Sequence, residues 1–209
     1  MRLDAVEAAT RGVVDRGERL LHIHRFADTE SGHLARLLQW AEIPPKARVI
    51  DLGCGTGEMA RQWSRLRPDL DWVLVNLSPV QLAYAPATMR QHCVDMRQVP
   101  EEDGAFDVAL CCFAIGHEDA GEVYDEMARL LTPGGVAFVY DMTCDTGVHA
   151  GVRQLDYAVS TREAMETAGR ESGLRLDVYL EPTSTATHWV EATGHFAGTT
   201  PGIWRWIKP

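Results

Sequence analysis

Residues 49–60 have the sequence VIDLGCGTGEMA, in which a short apolar run leads directly into three glycines at alternate positions. The apolar run Arg48–Leu52 predicts a buried strand, and the spacing of apolar residues in Glu58–Leu66 predicts a helix. The glycines of the turn between them are Gly53, Gly55 and Gly57. Glycine permits positive φ angles and close approach of a ligand, and ligands of open parallel sheets bind beyond the carboxyl ends of the strands. The turn is therefore a candidate ligand site, with a tight turn that binds nothing as the alternative.

Apolar runs and helical segments alternate along the chain and extend this pattern into a sheet. The further strands that we predict are Trp72–Leu77, His92–Met96, Ala105–Phe113 and Val136–Asp141, and the helices between them are Pro79–Ala85 and Glu122–Leu131. Almost continuously apolar strands separated by helices are typical of parallel sheets that are buried on both faces. The sequence therefore predicts an α/β fold with a doubly wound, Rossmann-like sheet.

The C-terminal part of the chain has a different pattern. A helix is predicted over Thr161–Glu171, Arg175–Leu180 has the alternation of a strand, and His188–Ala192 is a further candidate strand. We expect a C-terminal antiparallel strand pair to complete the mostly parallel sheet, with helices on both faces. The terminal segment around Trp204 and Trp206 is predicted to be an edge strand.

The N-terminal part is predicted to be helical and polar. Pro44-Pro45 ends the last of these helices, because proline lacks an N–H and restrains the residue before it. We expect residues 1–43 to form an N-terminal helical segment of one compact domain, whose remainder is residues 44–209.

Composition limits the partners and the compartment. The chain has 209 residues, of which 45% are hydrophobic and 24% are charged, as in one ordinary globular domain. A formal net charge of -10 and the lack of a basic run disfavour nucleic acid as a partner. An odd number of cysteines without zinc-site spacing, and an N-terminus without an apolar signal region, predict free thiols in the cytoplasm and no metal ion. No apolar stretch has the length of a membrane span, and we expect a monomer or a homodimer.

The spacing and charge of the glycine turn predict the type of ligand. The glycines are spaced G-x-G-x-G, whereas dinucleotide-binding turns have G-x-G-x-x-G. Asp51 comes just before the turn, where a carboxylate would repel a pyrophosphate but would pair with an ammonium group. S-adenosylmethionine carries an α-ammonium and a sulfonium and has no phosphate, so it is the ligand that this turn favours.

The motifs from Pro44 to Met142 resemble, in order and spacing, those of the class I S-adenosylmethionine-dependent methyltransferases, in particular the members that act on small molecules. VIDLGCGTG resembles the first motif of that family, and VLVNLSPVQLAYA resembles its second strand and the helix after it. CVDMRQVP, FDVALCCFAIGHED and LLTPGGVAFV resemble the third, fourth and fifth strand regions. The resemblance implies S-adenosylmethionine as the cofactor and S-adenosylhomocysteine as the product.

The resemblance also implies which residues hold the cofactor. The glycine turn would line the methionine end with Asp51 orienting it, Asp95 would accept a hydrogen bond from the adenine amine, and Met96 would cover the adenine ring. Phe113, at the end of the fourth strand, would face the substrate. The predicted cofactor-binding residues are Asp51, Gly53, Cys54, Gly55, Gly57, Asn76, Leu77, Asp95, Met96, Cys112 and Phe113.

Asn76 departs from the family pattern. Most members have Asp or Glu at the end of the second strand, where the carboxylate accepts hydrogen bonds from both ribose hydroxyls. An amide oxygen accepts from a hydroxyl, whereas the NH₂ group only donates, and neutral hydrogen bonds are about half as strong as charge-assisted ones. We expect the asparagine to weaken cofactor binding by about 1 kcal/mol, roughly fivefold, and Asn76→Asp to tighten it.

The acceptor side is marked by fewer residues. His117 lies just beyond the fourth strand and is the candidate general base, with a loop-holding or helix-capping role as the alternative. Relatives that methylate terpenoids often have Glu where this chain has Phe113, which disfavours transfer to an alkene carbon. In the family, the segment before the first motif covers the cofactor, so residues 1–43 are predicted to be a lid. The predicted substrate-side residues are His24, Arg25, Phe26, Tyr140 and Asp141.

These features together predict an enzyme that transfers a methyl group in line from S-adenosylmethionine to a small molecule, such as a natural product. Such a transfer depends mainly on positioning the acceptor, so the sequence need not contain a catalytic constellation. Two alternatives stay open. One is a non-catalytic or repurposed S-adenosylmethionine-binding protein, and the other is a methyltransferase whose acceptor is a protein or is bound to a carrier.

Overall fold

A seven-stranded sheet forms the centre of the molecule, which a computed structural model describes over residues 3–15, 24–145, 156–186 and 196–209. In chain order the strands are β1 (Arg48–Leu52), β2 (Asp71–Val75), β3 (Arg90–His92), β4 (Phe106–Cys112), β5 (Leu131–Thr143), β6 (Arg175–Leu180) and β7 (Thr200–Ile207). Their order across the sheet is β3-β2-β1-β4-β5-β7-β6. Strands β1 to β5 run parallel, whereas β7 is antiparallel to both of its neighbours. The predicted fold class is confirmed.

Six α-helices flank the sheet in the described part of the chain. They are α1 (Leu3–Asp15), α2 (Glu30–Ala41), α3 (Glu58–Leu66), α4 (Pro79–Leu82), α5 (Ala120–Leu130) and α6 (Arg162–Glu171). Four of them begin after a residue whose side chain accepts a hydrogen bond from a backbone N–H of the first turn, namely Thr29, Ser78, Asp119 and Thr161. A short 3-10 turn, Ile115–His117, precedes α5, and His24–Arg25 pairs with Thr185–Ala186 in a separate ladder.

Each face of the sheet is covered by its own hydrophobic core. On one face, α2 and α3 pack together, and the indole N–H of Trp63 donates to the carbonyl of Leu34 at 2.8 Å. On the other face, α5 and α6 cover the sheet with Tyr124, Met127 and Met165. Both cores contain alternate residues of the same strands, because successive side chains of a strand point to opposite faces. None of the described helices is long and apolar enough to cross a membrane.

The predicted boundaries of β1, α3 and β6 agree with the structure. Strands β2 and β4 end earlier than predicted, so Asn76 and Phe113 lie in the loops just beyond them. The third strand was expected over His92–Met96 but ends at His92, because the residues around Asp95 form a turn. The predicted strand His188–Ala192 lies outside the described residues.

The position of β7 corrects the expected edge strand. The segment lies between β5 and β6, and Trp204 and Trp206 are fully buried. Trp206 meets Tyr124 of α5 edge-on, with ring centroids 5.5 Å apart, and Trp204 packs against Tyr179 of β6 at 5.3 Å. The prediction was wrong because alternating polarity does not indicate whether a strand has one partner or two, and here β5 and β6 pair with both edges of β7.

Candidate active site

A pocket opens beyond the carboxyl ends of β1, β2, β3 and β4, on the side of the sheet where the glycine turn lies. Its volume is about 1110 Å³ when the solvent at its mouth is included. The lining residues from α1 are Val6, Ala9, Thr10 and Val13. The other described lining residues are Gly53, Cys54, Gly55, Thr56, Asn76, Leu77, Gln81, Asp95, Met96, Cys112, Phe113, Ala114, His117 and Glu118. No lysine or arginine is among these residues, whereas two carboxylates are.

The glycine turn presents bare backbone to this pocket. Gly53 and Gly55 have φ angles of 75° and 56°. A Cβ atom on Gly53 would lie 2.4 Å from the Cβ atom of Ala114, so glycine is required here for space as well as for conformation. The N–H groups of Gly53 and Cys54 both donate to the carbonyl of Val75, at 2.9 and 3.0 Å, and this fixes the turn to the end of β2.

Two of the predicted cofactor residues, Asp51 and Gly57, do not line the pocket. A Cβ atom on Gly57 would lie 3.0 Å from Ala85 and Pro86, so this glycine permits close packing behind the turn. Asp51 is 2% exposed, and its Oδ2 atom has no hydrogen-bond partner among the described residues. Burial raises the pKa of Asp51 to about 7, which places an ionisable carboxyl group behind the glycine turn.

Asp51→Asn is expected to flatten the pH dependence of stability. Between about pH 4 and pH 7 the folded protein keeps a proton on Asp51 that the unfolded chain has lost, so the free energy of unfolding falls as the pH rises, by at most about 1.4 kcal/mol per pH unit. Above pH 7 Asp51 is ionised in the folded and the unfolded state, so the free energy of unfolding has fallen by the full amount. The asparagine variant has no carboxyl group at this position and avoids that fall. Urea unfolding at pH 5, 6.5 and 8 measures the difference.

Asp141 sets the background for this measurement, because burial raises its pKa to about 7 as well. The Asp51→Asn variant should therefore keep part of the slope. Identical slopes in the variant and the wild-type protein would show that Asp51 does not titrate in this range.

Asn76 and Leu77 follow β2 at the edge of the pocket. Asn76 is 8% exposed, and its Nδ2 atom donates to Gln81 Oε1 at 2.8 Å and lies 3.4 Å from the carbonyl oxygen of Ser78. The NH₂ group is therefore engaged within the protein, and the Oδ1 atom is the acceptor that the amide offers to a ligand. Sequence reasoning missed Gln81, since no motif marks it.

Asp95 and Met96 reach the pocket from the loop after β3. Arg97 holds Asp95 through two hydrogen bonds, from Nε to Oδ1 at 3.0 Å and from Nη2 to Oδ2 at 2.7 Å. These bonds lower the pKa of Asp95, so the group stays a carboxylate. Arg97 also donates to Glu122 at 2.6 Å, which links the loop to α5. Sequence reasoning missed Arg97, and its place two residues after Asp95 was the available signal.

A buried ion pair on α5 supports the loop that follows Asp95. Glu126 is 6% exposed and accepts a hydrogen bond from the N–H of Val99 at 2.7 Å. Arg129 donates to both carboxylate oxygens of Glu126, each at 2.7 Å, and to the carbonyls of Val99 and Glu101 at 3.0 and 2.8 Å. The pair therefore fixes the backbone of the loop that carries Asp95 and Met96.

Phe113 and His117 line the pocket beyond the end of β4. Phe113 has a left-handed backbone with φ of 56°, and its ring stacks on Tyr157 with centroids 5.0 Å apart. His117 meets the same tyrosine edge-on at 4.8 Å, and Phe196 packs against it at 5.6 Å. Tyr157 and Phe196 were missed because they belong to C-terminal loops without a motif.

Asp141 does not line the pocket but is buried behind this aromatic group. It is 2% exposed, and it accepts hydrogen bonds from the hydroxyl of Tyr157 and from the N–H of Met142. The geometry gives Asp141 the role of holding Tyr157 in place, rather than the substrate contact that the sequence suggested.

The other predicted substrate-side residues also lie away from the pocket lining. Phe26 stacks on His33 with centroids 4.8 Å apart and meets Tyr140 edge-on at 5.5 Å, within the core beneath α2. Tyr140 and Asp141 are consecutive in β5 and therefore point to opposite faces of the sheet. Arg25 belongs to the separate two-stranded ladder, and the side chain of His24 lies outside the described residues.

Comparison with known proteins shows which proteins the chain is similar to. Residues 49–135, which include all eleven predicted cofactor residues, match a family model described as a methyltransferase domain. The fold superimposes on geranyl diphosphate C-methyltransferase from Streptomyces coelicolor A3(2), solved with S-adenosyl-L-homocysteine, with a TM-score of 0.77 over 95% of this chain and 91% of that one, at 15% identity. Residues 49–135 of this chain therefore resemble a methyltransferase domain.

This chain has further relatives, which differ in what they do. It is 33% identical over 100 residues to the malonyl-[acyl-carrier protein] O-methyltransferase of Alcanivorax borkumensis, which is 45% of this chain and 34% of the relative. It also superimposes on the [4+2]-cyclase SpnF with a TM-score of 0.77, over 98% of this chain and 97% of that one, at 16% identity. At such identities the solved structures show a shared fold alone. The chain spans 25% to 45% of the length of the curated relatives it matches.

Proposed function

We propose that this protein is a methyltransferase, which binds S-adenosylmethionine in the pocket beyond β1 to β4 and transfers the methyl group to a small-molecule acceptor. The proposal rests on the glycine turn, where there is no room for a Cβ atom on Gly53, and on the unpartnered Oδ2 atom of Asp51 that is buried behind this turn. We call the backbone of this turn the cradle. The cradle admits a ligand close to the backbone, and the carboxylate favours an ammonium group. The described lining offers a phosphate-bearing ligand no lysine or arginine, which favours a cofactor without phosphate.

Bound in this pocket, the cofactor would supply an activated methyl group on a positively charged sulfur. We assign its methionine part to the glycine turn, its ribose to the Oδ1 atom of Asn76, and its adenine to the loop of Asp95. The residues assigned to the cofactor are Asp51, Gly53, Cys54, Gly55, Gly57, Asn76, Leu77, Asp95, Met96, Cys112 and Phe113. Among them, Asp51 and Gly57 act from behind the lining.

We assign the acceptor to the side of the pocket that Phe113 and His117 line. In-line transfer needs mainly a positioned acceptor and exclusion of water, and the apolar residues of α1 on the pocket wall favour both. An imidazole accepts a proton near neutral pH, so His117 is the proposed base for an acceptor that carries a proton. Small amines, phenols and carboxylates are the acceptor classes to screen.

The N-terminal segment has a proposed role as well. Because α1 contributes four lining residues, we assign a lid role to residues 1–43 and the remaining pocket to residues 44–209. We place the protein in the cytoplasm as a monomer or homodimer, and the free thiols of all five cysteines support a reducing compartment.

Calorimetric titration of the purified protein with S-adenosylmethionine, S-adenosylhomocysteine and NAD tests the cofactor. We expect micromolar binding of the first two and none of NAD. The acceptor panel is then incubated with S-adenosylmethionine, and S-adenosylhomocysteine is measured. Binding of neither sulfur compound would overturn the proposal.

Two alternatives have specific support. The full-length fold match to a [4+2]-cyclase, together with the phenylalanine at position 113, favours a repurposed or non-catalytic S-adenosylmethionine-binding protein. That alternative predicts cofactor binding without S-adenosylhomocysteine release for any acceptor. The malonyl-[acyl-carrier protein] relative favours a carrier-bound acceptor, which predicts methylation of a carrier-bound acid but not of the free acid.

A further inference from the structure

A chain of hydrogen bonds joins the end of β2 to the helix that covers the pocket. Asn76 Nδ2 donates to Gln81 Oε1 at 2.8 Å, and Gln81 Nε2 donates to Thr10 Oγ1 at 2.9 Å. Thr10 in turn donates to the carbonyl of Val6, one turn earlier in α1, at 2.9 Å. Asn76 and Thr10 are both 8% exposed, so both ends of this hydrogen-bond chain are protected from water.

Backbone carbonyls at both ends determine the direction of this chain. The Ser78 carbonyl, 3.4 Å from Asn76 Nδ2, accepts only, and so does the carbonyl of Val6. Asn76 must therefore turn its NH₂ group toward α4, and Gln81 must turn its own NH₂ group toward Thr10. With both amides oriented in this way, a donor meets an acceptor at each contact along these hydrogen bonds.

The donor-to-acceptor direction of this hydrogen-bond chain explains why position 76 is an asparagine. An aspartate there has no hydrogen to donate, and its carboxylate would face the carbonyl of Ser78. Gln81 would have to reverse its amide, which would turn an acceptor toward Thr10 and draw that hydroxyl away from Val6. The gain in ribose affinity that the sequence predicts for Asn76→Asp is therefore opposed by a weaker hold on α1.

We propose that Gln81 and Thr10 are positioning residues that couple the ribose end of the pocket to the docking of α1. The proposal rests on the function proposed above, because a ligand bound to Asn76 Oδ1 fixes the amide from the pocket side. A fixed Asn76 amide holds Gln81 in the orientation that binds Thr10, so cofactor binding and helix docking stabilise each other. Such coupling is reciprocal: docking of the helix raises the affinity for the cofactor by the same factor by which the bound cofactor favours docking.

A second bond between the same two elements supplies a matched control. Ser78 Oγ donates to Glu7 Oε1 at 2.8 Å, so Glu7 also docks α1 on α4, but it lies outside the chain that begins at Asn76. Glu7→Ala removes one docking bond without touching the amide chain. Thr10→Val removes the hydroxyl at constant shape, and Gln81→Met keeps the side-chain length but cannot bond to either neighbour.

Hydrogen exchange without any ligand tests the chain itself. We expect Thr10→Val and Glu7→Ala to speed the exchange of the backbone amides of α1 by about fivefold, because each removes a bond that docks the helix. Asn76→Ala and Gln81→Met should have the same effect, although Asn76 makes no hydrogen bond to α1. Unchanged exchange in Asn76→Ala and Gln81→Met, with faster exchange in Glu7→Ala, would overturn the proposal.

Calorimetric titration with S-adenosylhomocysteine tests the coupling. Thr10→Val and Asn76→Ala should each weaken binding by about fivefold or more, and the double variant should lose less than the product of the two. For Glu7→Ala and Asn76→Ala, the loss of affinity in the double variant should equal the product of the two single losses. If the losses of affinity multiply in both pairs of variants, α1 docks on the protein without being coupled to Asn76, and the proposal is wrong. A wild-type protein that binds no S-adenosylhomocysteine would defeat the proposed function, whereas the exchange experiment would still decide whether the chain holds the helix.

Discussion

Gly53→Ala is expected to weaken S-adenosylhomocysteine binding by more than about 100-fold. The added Cβ atom would lie 2.4 Å from that of Ala114, at a φ angle of 75° that residues with a Cβ rarely adopt. The turn has to move to relieve this overlap, and the hydrogen bonds of Gly53 and Cys54 to the carbonyl of Val75 move with it. Calorimetric titration measures the loss.

Gly134→Ala is the matched control for this substitution. Gly134 has a similar φ of 79°, but a Cβ atom on it would meet nothing within 4 Å. We expect a loss of stability of roughly 1 kcal/mol from backbone strain, with S-adenosylhomocysteine affinity unchanged. If Gly53→Ala stays within fivefold of the wild-type affinity, the glycine turn is not the cofactor cradle.

Arg129→Ala is expected to lower the free energy of unfolding by about 3 kcal/mol. The substitution leaves Glu126 buried without its cationic partner and removes the donors to the carbonyls of Val99 and Glu101. Because those carbonyls belong to the loop that continues from Asp95, S-adenosylhomocysteine affinity should fall as well. Urea unfolding and calorimetric titration measure the two effects.

Arg170→Ala controls for the loss of an arginine next to a buried glutamate. Glu166 is 8% exposed and binds Arg170 at 2.7 Å, but it also binds Arg162 at 2.6 Å. One cation stays after the substitution, so we expect a loss below about 1 kcal/mol and no change in ligand affinity. Equal losses in the two variants would contradict the supporting role of the Glu126 pair.

The parallel half of the fold could be predicted because its signals are local. Arg48–Leu52 and Glu58–Leu66 have a run length and a spacing that only one element type satisfies, and both have the predicted bounds. The glycine turn between them marked the position of the pocket. Nine of the eleven predicted cofactor residues line that pocket, since motifs that end parallel strands all meet at one edge of the sheet.

Features that depend on distant contacts could not be predicted in the same way. In a strand buried on both faces, apolarity does not indicate which face meets the pocket, so both Tyr140 and Asp141 were candidates for substrate contact. Arg97 and Gln81 matter through partners that no spacing rule connects to them. Tyr157 contacts the pocket residues Phe113 and His117 from a part of the chain that is distant from both in sequence, and no local pattern indicates these contacts.

The interior position of β7 has a consequence for how the protein is made. Strand β6 pairs only with β7 among the described strands, and β7 comes after it in the chain. During synthesis, β1 to β5 emerge in an order that lets neighbouring parallel strands assemble as they appear, but β6 has no partner strand on the sheet until β7 has been made. The full eight-residue β5–β7 pairing, from Thr143↔Thr200 to Val136↔Ile207, then has to form between segments that are far apart in sequence. Completion of this half of the sheet is therefore a late event in the assembly of the sheet, and until it occurs the two tryptophans of β7 stay exposed to chaperones and to other unfolded chains.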